Sequence, residues 1–533
     1  MNQEQTFYDQ KNILEFQKSI KNNELEIAFN GKLTSLEFIS QYNLQKLNLI
    51  NCFYIIPKLE CSTLNYLNID NCSIKSVEQL KLENVEVLIL SENKLHSIQR
   101  LTQFSKLKQL DISQNECKDI SFLKDLVQLT HLNISRNGIL DISVLKHLIN
   151  LKELDISGNQ RLNQIKPLQY LIYLTKLNLN NIHRGQKIDI SVLKFLINLE
   201  ELVLSYCENS DLKQLQYLVK LTKLNISASK LQNIKVLKYL TNLKDLEISS
   251  NEGLDMTPIQ FLVQLRKLDA SYSTLINILF LKKLENLQQL NISNNQNVDI
   301  KPLSHLTNIT HLMMNDCQVN DLSHIKHLVN MQYLDISDYE GIYSSNRYIS
   351  YLKDISALQY LVNLQELNIS GNSQIDITPL QYLTKLIRLQ LSYCGLYEIS
   401  ALKPLISLEQ LCLDNNSIIE LSPIYEQNKL RLLYLDNNKI LKTEVTMLFR
   451  KYVINQQQAT HEELTHAFKM NSIYVGRDSQ RKAHQQHQIL KSAKDQMKKK
   501  SNMLLFKQIS DYLLFLNNIT RLFQKLNINE AQQ

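Results

Sequence analysis

Tryptophan is absent from this chain, and glycine and proline are scarce, with nine and seven residues among 533. This scarcity excludes collagen-like and loop-dominated classes. No window approaches the roughly 18 consecutive apolar residues that a membrane-spanning helix needs. The start, MNQEQTFYDQKN, also lacks the basic residues followed by an apolar run that mark a secretory signal. We therefore expect a cytoplasmic protein, with a nuclear location as the alternative.

Motifs that carry chemistry are missing too. The sequence has no GxxxxGK[ST], GxGxxG, GxSxG or CxxC, the motifs expected of phosphate-binding loops, hydrolase elbows and zinc ribbons. The segment HEELTH at 461–466 differs from a zinc-protease helix because its second histidine comes one residue late and leaves the shared face. We predict a nonenzymatic protein without catalytic residues, cofactor or metal.

What is present is a repeat. The stretch LTHLNISRNGILDISVLKHLIN, residues 129–150, recurs in near-copies at a 22-residue step. A single copy cannot bury its own apolar face, so neighbouring copies must stack. A degenerate unit begins at Asn22. Clear units begin at Leu44, Leu64, Val85, Leu107, Leu129, Leu151, Leu174, Leu199, Leu221, Leu243, Leu265, Leu287, Ile309, Met331, Leu364, Leu386, Leu408 and Leu430.

Spacing within the unit predicts its local structure. Counted from Leu129, the first, fourth and sixth positions are apolar, which indicates a strand whose intervening residues face outward. Stacked units then form one parallel sheet. The return segment is short and its leucines recur every three residues, which favours 3₁₀ turns or irregular helix. Five prolines share one place in this segment, where a fixed φ is tolerated: Pro167, Pro258, Pro302, Pro379 and Pro423.

The ninth position is usually asparagine, at the point where the chain turns inward. A buried amide there can bond backbone groups that lack strand partners, so we expect a ladder of asparagines. Cysteine replaces it at Cys52, Cys72, Cys207, Cys317 and Cys394. Cysteine is also small and has a weak S–H donor. We therefore interpret these residues as buried free thiols in preference to a disulfide framework.

The pattern LxxLxLxxN/CxI followed by IxxLxxL resembles the leucine-rich repeat family, in its 22-residue internalin and Sds22-like class. The resemblance covers about residues 22–440. It implies an α/β fold, a curved solenoid with a parallel β-sheet on the concave face and short 3₁₀ or irregular helices on the convex face. It also implies binding of other proteins. A helical C-terminal tail completes the predicted fold.

Composition divides the chain further. We predict an N-terminal helical cap at 1–21, the solenoid at 22–440, a C-terminal helical cap at 441–475 and a basic helical tail at 476–533. Residues 441–533 hold 15 Lys/Arg against 7 Asp/Glu, so this segment carries the excess positive charge. Tail residues at steps of four and three form a short heptad seam, a route to self-association: Leu505, Ile509, Tyr512, Leu516, Ile519, Phe523 and Leu526.

Candidate contact residues lie where the repeats differ from one another. The outward fifth and seventh positions are mostly Asn, Asp or Glu and Ser, a uniform polar surface. Against it stand tyrosines at the eighth position, histidines at the third, and tyrosines in an eleven-residue insertion after Met331; tyrosine offers a large contact area with a polar tip. The alternatives are packing at the solenoid edge or in a folded surface loop. The candidates are Tyr206, Tyr272, Tyr393, His131, His311, Tyr339, Tyr343, Tyr348 and Tyr351.

These observations predict a scaffold that binds a protein partner of unknown identity on the concave face. A face of eighteen strands spans on the order of 85 Å, which is oversized for a small-molecule substrate. Two alternatives remain: a regulatory subunit of an enzyme such as a protein phosphatase, and an adaptor targeted by its basic tail. Tail binding to nucleic acid or a membrane surface is less favoured, because its lysines cluster without interleaved aromatics.

Overall fold

A computed structural model of the chain describes residues 22–28, 42–51, 59–96, 98–162, 164–183, 187–208, 210–339, 351–441, 444 and 447. Several predictions lie outside these residues: the cap at 1–21, Tyr343 and Tyr348 of the insertion, the tail with its heptad seam, and all of the cap at 441–475 except residues 441, 444 and 447. The chain divides into two compact units, one ending at Cys394 and one beginning at Gly395.

The first unit is built on one long parallel sheet that contains β1, β2, β4 and β6 to β19. Each strand hydrogen-bonds to the strand of the next repeat. β3 and β5 form a separate two-stranded parallel sheet. The strands are β1 (Glu24–Ala28), β2 (Lys46–Ile50), β3 (Leu59–Glu60), β4 (Tyr66–Asp70), β5 (Leu80–Lys81), β6 (Val87–Ile89), β7 (Gln109–Asp111), β8 (His131–Asn133), β9 (Glu153–Asp155), β10 (Lys176–Asn178), β11 (Glu201–Val203), β12 (Lys223–Asn225), β13 (Asp245–Glu247), β14 (Lys267–Asp269), β15 (Gln289–Asn291), β16 (His311–Met313), β17 (Tyr333–Asp335), β18 (Glu366–Asn368) and β19 (Arg388–Gln390).

Short 3₁₀ helices form the opposite side of the first unit. They are Gln99–Gln103, Ser121–Asp125, Ser143–His147, Lys166–Tyr170, Ser191–Phe195, Leu212–Tyr217, Lys235–Tyr239, Thr257–Phe261, Leu279–Lys283, Lys301–His305, Ser323–Ile325, Ser356–Tyr360 and Thr378–Tyr382. Four of the repeated prolines of this unit stand near the helix starts, as the sequence predicts. The predicted curved solenoid with a parallel sheet on its concave side is confirmed.

Register in the sheet places leucine beside leucine. Leu154, Leu177 and Leu202 are direct neighbours across β9, β10 and β11, and all three are buried. Each of these three strands has one buried central residue between two outward ones. The central leucines of the 3₁₀ helices, such as Leu168 and Leu193, are buried as well, so the apolar core lies between the sheet and the helices.

The predicted asparagine ladder is also present. Asn159 accepts hydrogen bonds on Oδ1 from the backbone N–H groups of Asn137 and Ile139 at 3.1 and 3.0 Å. Its Nδ2 donates to the carbonyls of Ile134 and Ile156 at 3.1 and 2.8 Å. One buried side chain therefore ties two repeats together.

Cysteine preserves part of this ladder. The Cys207 thiol donates to the carbonyl of Leu179 at 3.4 Å, the equivalent of the carbonyl that Asn159 bonds in the preceding repeat. Cys317 makes the same bond to Ile292 at 3.1 Å. Burial raises the pKa of both thiols to about 12. They therefore remain protonated donors at neutral pH.

The second unit has the same alternation of strands and 3₁₀ helices over fewer residues. It contains the paired strands β20 (Gln410–Cys412) and β21 (Leu432–Tyr434) and the 3₁₀ helices Ser400–Leu402 and Ser422–Ile424. Asn438 of this unit again bonds the backbone of its own repeat and of the preceding one.

Candidate functional site

Polar groups on the concave face are largely paired with one another. At the fifth position, an asparagine amide donates to the aspartate of the preceding repeat, as in Asn133 with Asp111 at 2.9 Å and Asn178 with Asp155 at 2.8 Å. Asn291 bonds Asp269 in the same way at 3.0 Å. A partner that displaced these bonds would have to replace them at equal strength, so this surface favours no particular ligand.

Charged side chains at the third position neutralise one another as well. Lys176 lies 2.9 Å from Glu153, and Lys223 lies 3.0 Å from Glu201. The hydrogen bond and charge of Glu153 raise the pKa of Lys176 above its ordinary value. Exposed pairs of this kind contribute little to stability. Their consequence here is that the face lacks a dominant sign of charge over these repeats.

The polar rows are interrupted at β16. Met313 occupies the fifth position where neighbouring repeats carry aspartate or asparagine, and it is only partly buried. Beside it, the rings of His311 and Tyr333 stack with centroids 6.0 Å apart and planes 16° apart. The Thr310 hydroxyl lies 2.9 Å from His311 Nδ1 and orients that ring. Apolar and aromatic groups thus face solvent on a polar sheet.

Tyr339 extends this surface toward the insertion. Its hydroxyl accepts a hydrogen bond from Asn368 Nδ2 at 3.2 Å, and its backbone N–H donates to Asp316 Oδ1 at 2.7 Å. Burial, followed by the charges of nearby groups including Tyr339, raises the pKa of Tyr333. Both phenols therefore belong to one region. We call His311, Met313, Tyr333 and Tyr339 the β16–β17 cluster.

A polar groove of about 350 Å³ runs along the other end of the same strands. It is lined by Gln288, Asn308, Thr310, Asn330, Gln332, Asn363, Gln365 and Lys385, and we call it the amide groove. The asparagines hold the turns, as Asn363 does by donating to the Val329 carbonyl at 2.8 Å. Gln332 and Gln365 extend from the strand starts and are exposed. Each primary amide carries a donor and an acceptor, the same pair that a peptide group offers.

The eighth-position tyrosines are exposed and conformationally strained. Tyr206 and Tyr272 are each 57% exposed, and Tyr393 is 43% exposed. All three have φ between +51° and +57°. This region suits glycine and asparagine but disfavours bulky side chains. The repeat that begins at Leu364 has Gly371 at this position, where a Cβ would meet the Asp338 carbonyl at 2.0 Å. Tyrosine at this position therefore costs backbone energy without filling the core.

Replacing Tyr206 with asparagine should leave stability unchanged or raise it by up to about 1 kcal/mol, because asparagine tolerates this backbone region. Asn294 occupies the equivalent position with φ +58°. Urea denaturation of the variant beside the wild-type chain measures the effect. A loss of stability above about 1 kcal/mol would mean that the ring packs against the solenoid.

Comparison with known proteins agrees with this architecture. The family model "Leucine Rich repeats (2 copies)" matches residues 127–170, and "Leucine rich repeat" matches residues 83–139. The chain contains leucine-rich repeats. A search of curated proteins gives no significant match.

Two solved structures show what this leucine-rich-repeat protein is similar to. A leucine-rich-repeat protein of Leptospira interrogans is 24% identical, with a TM-score of 0.57, and the match covers 66% of this chain and 90% of that one. The internalin InlF of Listeria monocytogenes is 25% identical, with a TM-score of 0.36, over 72% of this chain and 85% of that one. The first match supports the fold.

Candidate residues of the leucine-rich-repeat protein are only partly brought together. His311 and Tyr339 lie in the β16–β17 cluster, and Tyr351, the last candidate tyrosine of the insertion, is partly exposed. Tyr206, Tyr272 and Tyr393 belong to other repeats. His131 lies eight strands from β16 and is 3.7 Å from Glu153 in a polar network. Their roles as contact residues stay predictions.

Sequence reasoning missed Met313 and Tyr333. The signal was available, because Met313 is an apolar residue at an outward strand position that is otherwise mostly polar. Val203 of β11 breaks the same row and stands three residues before Tyr206. Met313, Tyr333 and Val203 all occupy outward strand positions that are mostly polar in other repeats, and this departure is the signal in the sequence.

The described residues contain neither a metal-binding cluster nor a membrane-spanning helix. Within the part of the chain that the structure describes, no group of three or more His, Cys, Asp and Glu side chains could hold a metal ion. Among the same residues, no helix has the length and apolar character required to span a bilayer.

Proposed function

We propose that this leucine-rich-repeat protein is a nonenzymatic cytoplasmic scaffold that binds a segment of a protein partner across β15 to β18. The observation that carries the proposal is the β16–β17 cluster, where Met313 and the stacked His311 and Tyr333 interrupt a self-paired polar face. Partly exposed aromatic and methionine side chains gain contact energy without a need to break existing bonds. Such groups commonly form the centres of protein interfaces.

The amide groove adds a second kind of contact beside the cluster. Gln332 immediately precedes Tyr333 in the chain, so groove and cluster belong to the same repeat. An extended peptide could pair its main-chain groups with the exposed glutamine amides while an apolar side chain meets Met313. This division gives affinity through the main chain and selectivity through the side chain, as in other modes of peptide recognition.

Replacing cluster residues with those that a neighbouring repeat carries at the same positions should remove binding but keep the fold. We expect Met313→Asn combined with His311→Gln to weaken partner binding by at least about tenfold, because both apolar contacts are lost. Asparagine occupies the fifth position in β15, and glutamine the third. Affinity purification with the full chain, followed by titration of the recovered partner, measures the effect.

A matched control is His131→Gln, which changes a third-position histidine far from the cluster. It should leave partner recovery unchanged. Equal losses in both variants, or crosslinks that fall only outside β15 to β18, would contradict this location. Thermal unfolding of all variants checks that each keeps the wild-type fold.

A further inference from the structure

Aromatic residues form a row on the side of the 3₁₀ helices. In five consecutive repeats, the last residue of the helix is aromatic and between 45% and 52% exposed. The leucine that follows each ring is fully buried, which fixes the helix and holds the ring outward. The five residues are Tyr170, Phe195, Tyr217, Tyr239 and Phe261. None of them belongs to the concave face.

A second apolar row runs beside the first. Two residues after the ring, four of these repeats carry an isoleucine or valine that is between 44% and 53% exposed: Ile172, Ile197, Val219 and Val263. We call the two rows together the aromatic stripe. With about 200 Å² per aromatic side chain, the half-exposed rings alone present roughly 500 Å². Monomeric soluble proteins rarely expose a larger continuous apolar patch.

Positive charge alternates along the stripe. The residue before each ring is glutamine at 169, 216 and 260 and lysine at 194 and 238, and Lys282 continues the series in the next repeat. Lys194 Nζ lies 5.0 Å from the centroid of the Phe195 ring, and Lys238 Nζ lies 5.0 Å from that of Tyr239. The stripe is therefore apolar, with one lysine on every second repeat.

We propose that the aromatic stripe binds the stripe of a second copy of this chain, in an antiparallel pair related by a two-fold axis. The axis passes between the repeats of Tyr217 and Tyr239, so that each of these rings meets the other in the second copy. Two-fold pairing places one patch against itself and closes the assembly as a dimer.

The lysine alternation favours an axis that passes between two repeats. With the axis between the two repeats, Lys194 faces Gln260 and Lys238 faces Gln216, and Tyr170 faces Lys283 of the other copy. An axis through the repeat of Tyr217 would instead oppose Lys194 and Lys238. Like charges brought together in an apolar interface are costly. The pattern thus suits an axis between two neighbouring repeats, and the proposed one sets four of the five rings against rings of the other copy.

The size of the stripe fits this partner. A stable interface buries about 800 Å² on each side. Five half-exposed rings supply most of that area, and the adjoining isoleucine and valine row supplies much of the rest. The concave face is left open in such a dimer because the stripe lies on the helix side. Self-association and partner binding are therefore separable properties.

Light scattering on the full chain tests the proposal. We expect the wild-type chain to be dimeric at about 100 μM. The double variant Tyr217→Lys, Tyr239→Lys should raise the dimer Kd at least about 100-fold. Tyr360→Lys is the matched control, because Tyr360 ends its 3₁₀ helix and is 54% exposed but lies outside the stripe. A monomeric wild-type chain would overturn the proposal. So would a dimer that the double variant leaves intact, which would mean that another surface joins the copies.

Disulfide crosslinking tests the register. Mixed Lys194→Cys and Gln260→Cys chains should form a crosslinked heterodimer under oxidation, because these positions face each other. Either variant alone should not, since two cysteines whose Cα atoms lie more than about 7 Å apart cannot be bridged. The wild-type chain provides the blank for its own cysteines. Crosslinks within a single variant but none in the mixture would rule out this axis.

Discussion

Replacing Leu224 with aspartate should destabilise the middle of the array by about 4 kcal/mol, because a carboxylate would enter the core without a partner. Leu224 is 2% exposed and lies between Leu202 and Leu246 in the sheet. Each repeat is stabilised mainly by its neighbours. We therefore expect lost protection from hydrogen exchange to centre on β11 to β13 and to decrease away from them.

The adjacent substitution Asn225→Asp provides the control. Asn225 faces outward, and its Nδ2 donates to Glu247. Burial, followed by the charges of Asp245 and Asp269, raises the pKa of Glu247, so a third nearby carboxylate is unfavourable. We expect a loss of about 1 kcal/mol at neutral pH. It should fade as the pH falls through the carboxyl range, because a raised carboxyl pKa favours the folded state at low pH. Equal losses for both variants at low pH would contradict the inward and outward assignment.

Sequence alone predicted the fold because two short-range rules repeat in phase. Alternation of leucine with polar residues defines the strands, and leucines every three residues define the 3₁₀ helices. The asparagine ladder also followed from local reasoning, since the chain must satisfy backbone groups wherever it turns inward. A rule that recurs in many units tolerates exceptions in a few of them, as the cysteines at the ninth position show.

The candidate site was less accessible, because its properties depend on neighbours between repeats. The stacking of His311 on Tyr333 needs the register of β16 and β17, although the two residues are 22 positions apart. The amide groove likewise collects residues from several repeats. Backbone strain at Tyr206 could not be inferred from residue type, because φ is positive there only through the shape of the turn.

The aromatic stripe is visible in the sequence when the same position is compared from one repeat to the next. Spacing by threes drew attention to the buried leucines on either side of each ring, such as Leu215 and Leu218 around Tyr217. The rings between these leucines face solvent. Comparing the same position across successive repeats shows five aromatics in a row, which chance variation of a polar surface does not explain.

Replacing Asn295 with alanine should also lower the free energy of unfolding strongly. Its side chain is fully buried and accepts hydrogen bonds from the backbone N–H groups of Ser273 and Leu275 at 3.0 and 2.9 Å. It also donates to the carbonyls of Ala270 and Ile292 at 3.0 and 2.7 Å. Alanine would leave these buried groups without partners. We expect a loss of about 3 kcal/mol or more, since each unsatisfied buried group costs about 1 to 3 kcal/mol.

Asn295→Cys should cost less than half as much as Asn295→Ala in the same denaturation experiment. The array already places cysteine at this position in Cys207 and Cys317, whose thiols donate to the carbonyl that the asparagine amide otherwise bonds. Cysteine is also larger than alanine, so Asn295→Ser separates hydrogen bonding from packing, because serine is nearly as small as alanine and keeps a donor, as Ser229 does at this position. If serine proved as destabilising as alanine, any rescue by cysteine would come from the size of its side chain. Rescue by serine as well as cysteine would show that one remaining donor holds neighbouring repeats together.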